Sequence, residues 1–326
     1  MNLTMSKLRK PLLFVGMLFL TFGIMAQSVE DAGAKYNEGN EFYKEKNYTS
    51  AITSYEAARG IANEVGADAA DLKGSIEKQL LNSYYGEAKA KYKKGKYDTA
   101  IELFEKTHAL AEELGDASKS KNSKSYIAKV RTSKGSSLLK ANKVDEALAE
   151  YNMAIEILPK YYKAYYGLML VYKSKDDLTN MMANADKVLE LGADDSKAEK
   201  TVKKTKSTAS KALVNAGAKE IQDGSAAKAI KFINDSFKYS AGNANAYYYL
   251  TLAYSKESKW DDAITSAQKA ISMEPEKDKS DINFALGQAY EGKGDATSAC
   301  AAYKNVTTGP NVEAAKYQMT QVLKCS

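Results

Sequence analysis

The sequence contains few of the side chains that most often carry catalysis and metal binding. Among 326 residues there is one histidine, His108, and there are two cysteines, Cys300 and Cys325. One histidine excludes metal sites built from several histidines, and the cysteines do not form a Cys-x-x-Cys redox or zinc pair. Phosphate-binding patterns such as GxxxxGKS, GxxxxGKT and GxGxxG are also absent. We therefore predict no enzyme activity, no catalytic residue, no metal site and no cofactor, and interpret His108 as an ordinary surface or interface residue.

A strong excess of one charge is also missing. The chain has 47 Lys and Arg against 41 Asp and Glu, and Lys7, Arg9 and Lys10 contribute to the formal net charge of +6. So weak an excess does not indicate a nucleic-acid partner, and we expect none. Carboxylates that alternate with lysines usually mark solvated helix faces rather than reactive sites.

Long apolar runs are scarce, and the clearest one, Leu12–Met25, lies close to the N-terminus. It follows basic residues and precedes Ala26, which is typical of a signal peptide (residues 1–26) that is cleaved after this alanine. The run is shorter than the ~20 residues that cross a bilayer. We expect export to the periplasm or the cell exterior, with no membrane span after cleavage. The alternative is an uncleaved membrane anchor.

Proline is scarce as well, and a pattern of two helices recurs along the chain. Its cleanest copy is Ala244–Pro275. Side chains at i, i+3, i+4 and i+7 form the stripe of a first helix, namely Tyr247, Leu250, Thr251 and Tyr254. Ala263 and Ala270 leave room for a second helix to approach, and Pro275 ends the pair. Because each hairpin leaves an apolar edge uncovered, the copies are expected to stack into an all-α solenoid.

The other copies share a small residue in the first helix and an alanine in the second. These pairs are Gly39 and Ala51, Ala88 and Ala100, Gly135 and Ala147, Gly217 and Ala229, and Gly287 and Ala299. One copy departs from the pattern and has Met169 and Met181 at these positions. The pattern resembles the tetratricopeptide repeat of 34 residues, in about seven copies over residues 32–308.

The spacing between copies changes along the chain. The key alanines at positions 51, 100 and 147 are 49 and 47 residues apart, whereas those at 229, 263 and 299 are 34 and 36 apart. Apolar residues continue in helical phase up to Gly66 and Gly115, and Asp68 and Asp116 then suit helix N-caps. We therefore predict helices lengthened by about two turns each in the early copies.

The change in spacing suggests two subarrays, residues 27–194 with lengthened helices and residues 195–326 with compact ones. Residues 194–212 are crowded with lysines and are interpreted as the solvated first helix of the fifth copy. The alternatives are a junction between the subarrays and a basic contact patch for an acidic partner. Val312–Lys324 is predicted to be an amphipathic capping helix, because a terminal hairpin has no neighbour to cover it.

Cys300 and Cys325 are predicted near the facing ends of antiparallel neighbours. A disulfide between them is geometrically possible and would add about 3 kcal/mol of stability in an exported protein. The alternative is two unpaired thiols, one buried and one in a frayed end.

The resemblance implies a function in protein binding. In tetratricopeptide repeats the first helices line a groove that binds peptides or helices of partners. The corresponding positions here include Tyr36, Asn40, Tyr43, Tyr85, Lys89, Tyr92, Lys129, Lys140, Tyr166 and Tyr248. The alternative for each tyrosine is that it packs between hairpins. Members that hold a C-terminal carboxylate need Lys and Asn where this chain has Tyr36 and Tyr85, so that clamp is not predicted.

We therefore predict a non-catalytic adaptor or scaffold that binds a protein or peptide partner. The alternative is a structural component of a cell-envelope complex that self-associates, with a homo-oligomer possible. A third hypothesis is an enzyme whose active site the sequence does not reveal.

Overall fold

A computed structural model describes residues 28–273 and 278–325, and all regular structure in these ranges is helical. The chain divides into two compact units between Gly86 and Glu87. The first unit contains α1 (Val29–Lys44), α2 (Tyr48–Val65), a 3-10 turn (Gly66–Ala69) and the first part of α3 (Ala70–Lys93).

The second unit contains the rest of α3 and twelve further helices within its described part. They are α4 (Tyr97–Glu113), α5 (Ala117–Lys140), α6 (Val144–Ile157), α7 (Tyr162–Ser174), α8 (Leu178–Gly192), α9 (Glu199–Gln222), α10 (Ala226–Ser236), α11 (Ala244–Lys256), α12 (Trp260–Met273), α13 (Ser280–Lys293), α14 (Ala296–Lys304) and α15 (Val312–Tyr317). Up to α13, odd numbers mark the first helix of a pair and even numbers the second. Pro275 lies outside the described residues.

Successive pairs stack within the second unit. The second helix of a pair packs on the first helix of the next one, as α4 does on α5, α6 on α7, α8 on α9, α10 on α11 and α12 on α13. The predicted all-α, solenoid-type fold of helix hairpins is therefore confirmed.

The predicted lengthening of the early helices is also confirmed. α3 and α5 each have 24 residues, whereas α11 has 13 and α13 has 14. α2 ends at Val65 with Gly66 as its C-cap, and Gly115 follows α4 with a φ of 71°. The crowded lysine segment belongs to α9, a first helix of 24 residues, as its simplest interpretation predicted.

One of the two predicted N-caps is wrong. Asp116 caps α5 by accepting a hydrogen bond from the backbone N–H of Lys119 at 2.8 Å. Asp68 lies inside the 3-10 turn instead, and α3 begins only at Ala70. The 3-10 turn continues directly into the helix, so Asp68 cannot adopt the extended backbone of a cap residue.

Glycines of the first helices receive tyrosine rings from the second helices. A Cβ atom at Gly39 would lie 2.6 Å from Cε1 of Tyr55, and one at Gly287 would lie 2.5 Å from Cε1 of Tyr303. Both tyrosines are fully buried. Glycine at these positions lets the two helices of a pair approach to the thickness of one ring, which explains why small residues recur there.

The copy with two methionines forms a regular pair, α7 and α8. Met169 and Met181 are fully buried and share one core cluster with Leu213 of α9 and Tyr239. Methionine is flexible enough to fill the space that smaller residues leave open in other copies. This cluster joins residues on both sides of position 194, where a boundary between subarrays remains a prediction.

The C-terminal cap is less regular than predicted. The α-helical part ends at Tyr317, and Gln318–Val322 forms a π-helical turn. Ala315 is buried against Tyr303, and Leu323 packs in the same cluster. Leu323 packs on the core, whereas Val322 is exposed. A π turn changes the angular phase of the side chains in it and after it.

Cys300 of α14 and Cys325 after the π turn form a disulfide, with their Cα atoms 5.8 Å apart. The bond fixes the cap to the last helix pair across a sequence separation of 25 residues.

Reduction of this disulfide should lower the free energy of unfolding by about 3 kcal/mol, because the unfolded chain regains the entropy that the closed loop removes. Urea unfolding with and without a reductant, followed by circular dichroism, measures this difference. A variant with both Cys300→Ser and Cys325→Ser should unfold like the reduced protein and should not respond to reductant. Equal midpoints for the oxidised and reduced wild type would contradict the prediction.

In the part of the chain that the structure describes, no helix combines the length and the apolarity needed to cross a membrane. The predicted signal peptide, residues 1–26, lies outside the described residues.

Candidate partner-binding surface

The first helices of the second unit contact one another directly. α5 packs on α7, α7 on α9, α9 on α11 and α11 on α13. Side chains also join neighbouring first helices. The hydroxyls of Tyr92 and Ser133 are hydrogen bonded at 2.8 Å, and Lys256 Nζ donates to the carbonyl oxygen of Ile221 at 3.0 Å. The side of these first helices that faces away from the second helices is called the first-helix face.

Three of the predicted binding residues in the first unit stabilise their own hairpin. The ring of Tyr36 lies 5.8 Å from that of Tyr55, and Asn40 Oδ1 accepts a hydrogen bond from the Tyr55 hydroxyl at 2.8 Å. Tyr43 contacts the ring of Tyr48 edge-on at 5.6 Å. Packing within the hairpin therefore occupies these side chains, at least in part. Tyr85 lies on α3 and is partly buried.

The remaining predicted residues lie on first helices of the second unit. These are Lys89 and Tyr92 on α3, Lys129 and Lys140 on α5, Tyr166 on α7 and Tyr248 on α11. The ammonium group of Lys129 lies 4.8 Å from the ring centre of Tyr126, and Lys140 is exposed. The tyrosines are partly buried, so each presents one side to solvent while the other packs on the layer. Their role in binding stays a prediction.

Several residues of this face escaped the sequence analysis. Lys163 and Lys173 lie on α7 at three and seven residues from Tyr166, which places all three on one side of the helix. Tyr161 precedes α7 and lies close enough to Tyr92 for the two hydroxyls to interact. The repeat spacing was a sufficient signal for the two lysines, whereas Tyr161 lies in a connection that the repeat pattern does not specify.

Charge is segregated between first and second helices in this part of the unit. α5 has seven Lys or Arg and no acid, α7 has two Lys and no acid, and α9 has six Lys and two Glu. α4 has five acids and one Lys, and α6 has four acids and no Lys or Arg. The near-neutral composition of the whole chain conceals this separation.

A cleft of about 390 Å³ lies where the α7–α8 turn approaches α9. Lys173, Lys219, Asp176 and Glu220 contribute charge of both signs to its wall, and Leu178, Ala212 and Phe232 contribute apolar surface. A cleft of mixed character can accept one large side chain of a bound segment.

Burial controls the ionisation of the tyrosines near this face. It raises the pKa of Tyr161 to about 12, with smaller contributions from Tyr92 and Tyr162. In the first unit, burial likewise raises the pKa of Tyr55 to about 12, helped by Tyr36 and Tyr43. These hydroxyls are neutral at physiological pH and can donate hydrogen bonds.

The protein should lose stability as the pH rises from 10 towards 12. In that range tyrosines of the unfolded chain, with a pKa near 10, release protons that Tyr55 and Tyr161 retain in the fold, so unfolding becomes more favourable. The double variant Tyr55→Phe, Tyr161→Phe should shift the alkaline midpoint upwards, because these two groups no longer favour the unfolded state. Circular dichroism and tyrosinate absorbance measure the midpoint. The single variant Tyr317→Phe, at an exposed position, is the control. An unchanged midpoint for the double variant would contradict this account.

His108 contacts a polar side chain of the neighbouring helix. Its Nδ1 lies 3.0 Å from Ser120 Oγ, where α4 meets α5. Among the described residues, no group of three or more His, Cys, Asp and Glu side chains could hold a metal ion.

Comparison with known proteins identifies the repeats. Residues 85–162 and 241–311 match the family model of the tetratricopeptide repeat. These two segments match tetratricopeptide repeats. The two matched segments cover α4 to α6 and most of the last described helix pairs, where the hairpins are clearest. No curated protein sequence matches this chain.

Solved structures resemble this chain at low identity. A tetratricopeptide repeat protein from Parabacteroides merdae is 15% identical, with 91% of this chain and 100% of that chain covered and a TM-score of 0.31. The TPR2AB domain of yeast Sti1 in a pHSP90 complex is 18% identical, with 91% and 97% covered and a TM-score of 0.34. YrrB, a TPR protein with an unusual peptide-binding site, is 17% identical, with 54% and 83% covered and a TM-score of 0.35. Nothing about the partners of this chain follows from these similarities.

Proposed function

We propose that this protein is a non-catalytic adaptor or scaffold that binds segments of partner proteins on its first-helix face. The observation that carries the proposal is the outer side of α5, α7 and α9, which combines the partly buried Tyr166 with exposed lysines on directly contacting helices. Tyrosine offers a large contact area and has few torsion angles to immobilise, so it suits an anchor for a bound segment.

We further propose that the protein acts in the periplasm or outside the cell. The basic start and apolar run of residues 1–26 support export. The disulfide between Cys300 and Cys325 supports an oxidising compartment, because such bonds rarely persist in the reducing cytosol.

Site-specific photo-crosslinking in the full chain tests the proposed face. A photoreactive amino acid would replace Lys140 or Lys163 on the face, and Glu102 or Glu156 on second helices in control variants; all four positions are exposed. We expect the face variants to crosslink a partner protein and the control variants to do so at least about tenfold less, since contacts of this kind are local. Equal crosslinking at all four positions, or none at the face positions, would contradict the proposal.

Self-association is a second candidate function, favoured by the opposite charges of the two helix layers. The acid-rich α4 and α6 of one copy could contact the lysine-rich first helices of another. Light scattering of the mature protein at low and high salt decides between the two functions. A stable homo-oligomer that dissociates at high salt favours self-association, whereas a monomer under both conditions excludes it.

A further inference from the structure

We infer that the segment bound on the first-helix face is acidic and carries a large apolar side chain. This inference rests on the proposed function and specifies the chemistry of the partner. It depends on where the lysines lie on α5, α7 and α9, on which of them are already paired, and on the cleft beside them.

The lysines of α5 and α7 are aligned along the face. Lys129 and Lys140 are eleven residues apart, which is about three helical turns, so both lie on the same side of α5. Ser133 lies between them and is hydrogen bonded to Tyr92 of the neighbouring first helix. This side of α5 therefore belongs to the first-helix face. On α7, Lys163 and Lys173 are ten residues apart and lie on the side of Tyr166.

The lysines of α9 extend the same row. Lys200, Lys204 and Lys211 are spaced by four and seven residues, so they form one stripe, and all three are exposed. The opposite side of α9 is apolar or small and packs into the core through Ala209 and Leu213. The lysine stripe therefore points away from the core.

Seven lysines of the face lack a carboxylate partner in the described part of the chain. Lys129, Lys140, Lys163, Lys173, Lys200, Lys204 and Lys211 form no ion pair with any carboxylate of the described residues. Three other cations of the same region are paired. Arg131 and Lys134 both contact Glu150, and Lys175 contacts Asp145 at 2.6 Å. The face therefore carries a row of positive charges without carboxylate partners, and a negatively charged segment complements this row.

The cleft between the α7–α8 turn and α9 adds an apolar requirement. Phe232 and Leu178 form apolar wall, and the charges beside it, Lys173 and Lys219 against Asp176 and Glu220, balance in sign. A segment that places its carboxylates against the lysine row of α5, α7 and α9 and one large apolar residue in the cleft would complement both. A chain of acidic residues alone would leave this apolar surface in contact with water.

Selection from a library of random linear peptides tests the inference with the full mature chain. We expect the recovered peptides to contain Asp and Glu at about twice their frequency in the unselected library or more, together with a recurrent large apolar residue. Their affinity should fall as the salt concentration rises, because salt screens exposed charge pairs.

Two charge-reversal variants distinguish an effect of the charges on the face from an effect of the net charge of the protein. The face variant carries Lys163→Glu, Lys204→Glu and Lys211→Glu. The control variant carries Lys259→Glu, Lys269→Glu and Lys304→Glu, three exposed positions elsewhere in the unit that give the same change in net charge. The face variant should bind a selected acidic peptide at least about tenfold more weakly, and the control variant within about threefold of the wild type.

The possible outcomes are distinguishable. If peptides are enriched but are not acidic, the inference is wrong and the proposed function stands. If no peptide is enriched over the blank support, the proposed function fails and the inference with it. Equal losses in both variants would reject the assigned face. A single-stranded oligonucleotide that binds as tightly as the selected peptides would show a general polyanion surface and would overturn the assignment to a protein segment.

Discussion

Replacing Gly167 with alanine should lower the free energy of unfolding by about 2 to 4 kcal/mol, which is the sum of about 1 to 3 for an overpacked core and about 1 for a lost hydrogen bond. A Cβ atom at Gly167 of α7 would overlap Cε1 and Cζ of Tyr151. Tyr151 belongs to α6 and is 1% exposed, so its ring has no free space to move into.

The other side of the ring is blocked as well. A Cβ atom at Gly135 of α5 would lie 3.0 Å from Tyr151 Cε1, so the ring is held between two glycines of successive first helices. The Tyr151 hydroxyl is hydrogen bonded to Ser136 Oγ at 3.0 Å. Moving the ring away from a new methyl group would therefore push it against α5 and break this hydrogen bond.

Thermal and urea unfolding followed by circular dichroism measure the change. Gly60→Ala in α2 is the matched control, because a Cβ atom there meets nothing within 4 Å. That substitution should be neutral or should stabilise the protein by up to about 1 kcal/mol through the better helix propensity of alanine. In the double variant Gly167→Ala, Tyr151→Leu the overlap is relieved, so the cost should be clearly less than the sum of the two single variants. If the free energy of unfolding of Gly167→Ala lies within 1 kcal/mol of the wild-type value, the Tyr151 ring is not held tightly between Gly135 and Gly167.

The packing of Tyr151 between two glycines shows what the repeat pattern can and cannot predict. The pattern compares each copy with one template and places Met169 at the position of the usual glycine. The glycine that receives a ring is Gly167, two residues earlier, and the ring comes from the preceding copy. Contacts between copies depend on how successive pairs stack, and a template for one copy contains no information on stacking.

Helix lengths were easier to predict than helix ends. Gly66 and Gly115 mark the ends of lengthened helices because a positive φ is easy for glycine and interrupts the helical phase. Asp68 has the composition of an N-cap but lies in a 3-10 turn, and the π turn after Tyr317 has no sequence signature. These ends depend on small differences between alternative hydrogen-bond patterns, which tertiary packing decides.

The candidate site was predicted in outline only. The sequence placed lysines and tyrosines on first helices, but it could not show that Asn40 bonds to Tyr55 within its own hairpin. It also gave no way to divide the cations of α5 into paired and unpaired ones. Arg131 and Lys134 turn towards α6, whereas Lys129 and Lys140 do not, and this difference is a matter of helix phase relative to α6.

Replacing Glu150 with alanine should lower the free energy of unfolding by about 3 to 5 kcal/mol, the cost of removing one partner from a buried charge cluster. The side chain of Glu150 is only 8% exposed, and its carboxylate lies 3.1 Å from Arg131 Nη1 and 2.7 Å from Lys134 Nζ. Without it, two largely buried cations on adjacent turns of α5 would repel each other. Asp98 would still contact Lys134, and Glu105 would still contact Arg131 at 3.6 Å, but both of these acids are mostly exposed.

Two further variants test whether the loss of stability comes from the charge of Glu150. Glu156→Ala, on the same helix at an exposed position, should change stability by less than about 0.5 kcal/mol. Glu150→Gln keeps the shape and one acceptor oxygen but removes the charge, so its cost should lie between those of the two alanine variants. If Glu150→Gln were as stable as the wild type, hydrogen bonding rather than charge would hold the cluster together.

The pH dependence provides an independent check on the same cluster. Burial lowers the pKa of Lys134, but hydrogen bonds to Asp98 and Glu150 outweigh it and leave the pKa above the ordinary 10.5. A cation whose pKa is raised in the fold contributes its full stability below pH 10.5 and loses it as the pH rises through the folded value. The gap in stability between the wild type and Lys134→Met should therefore be constant around neutral pH and shrink above pH 10.5. A gap that already closes at neutral pH would mean that Lys134 is not held as a cation by Glu150.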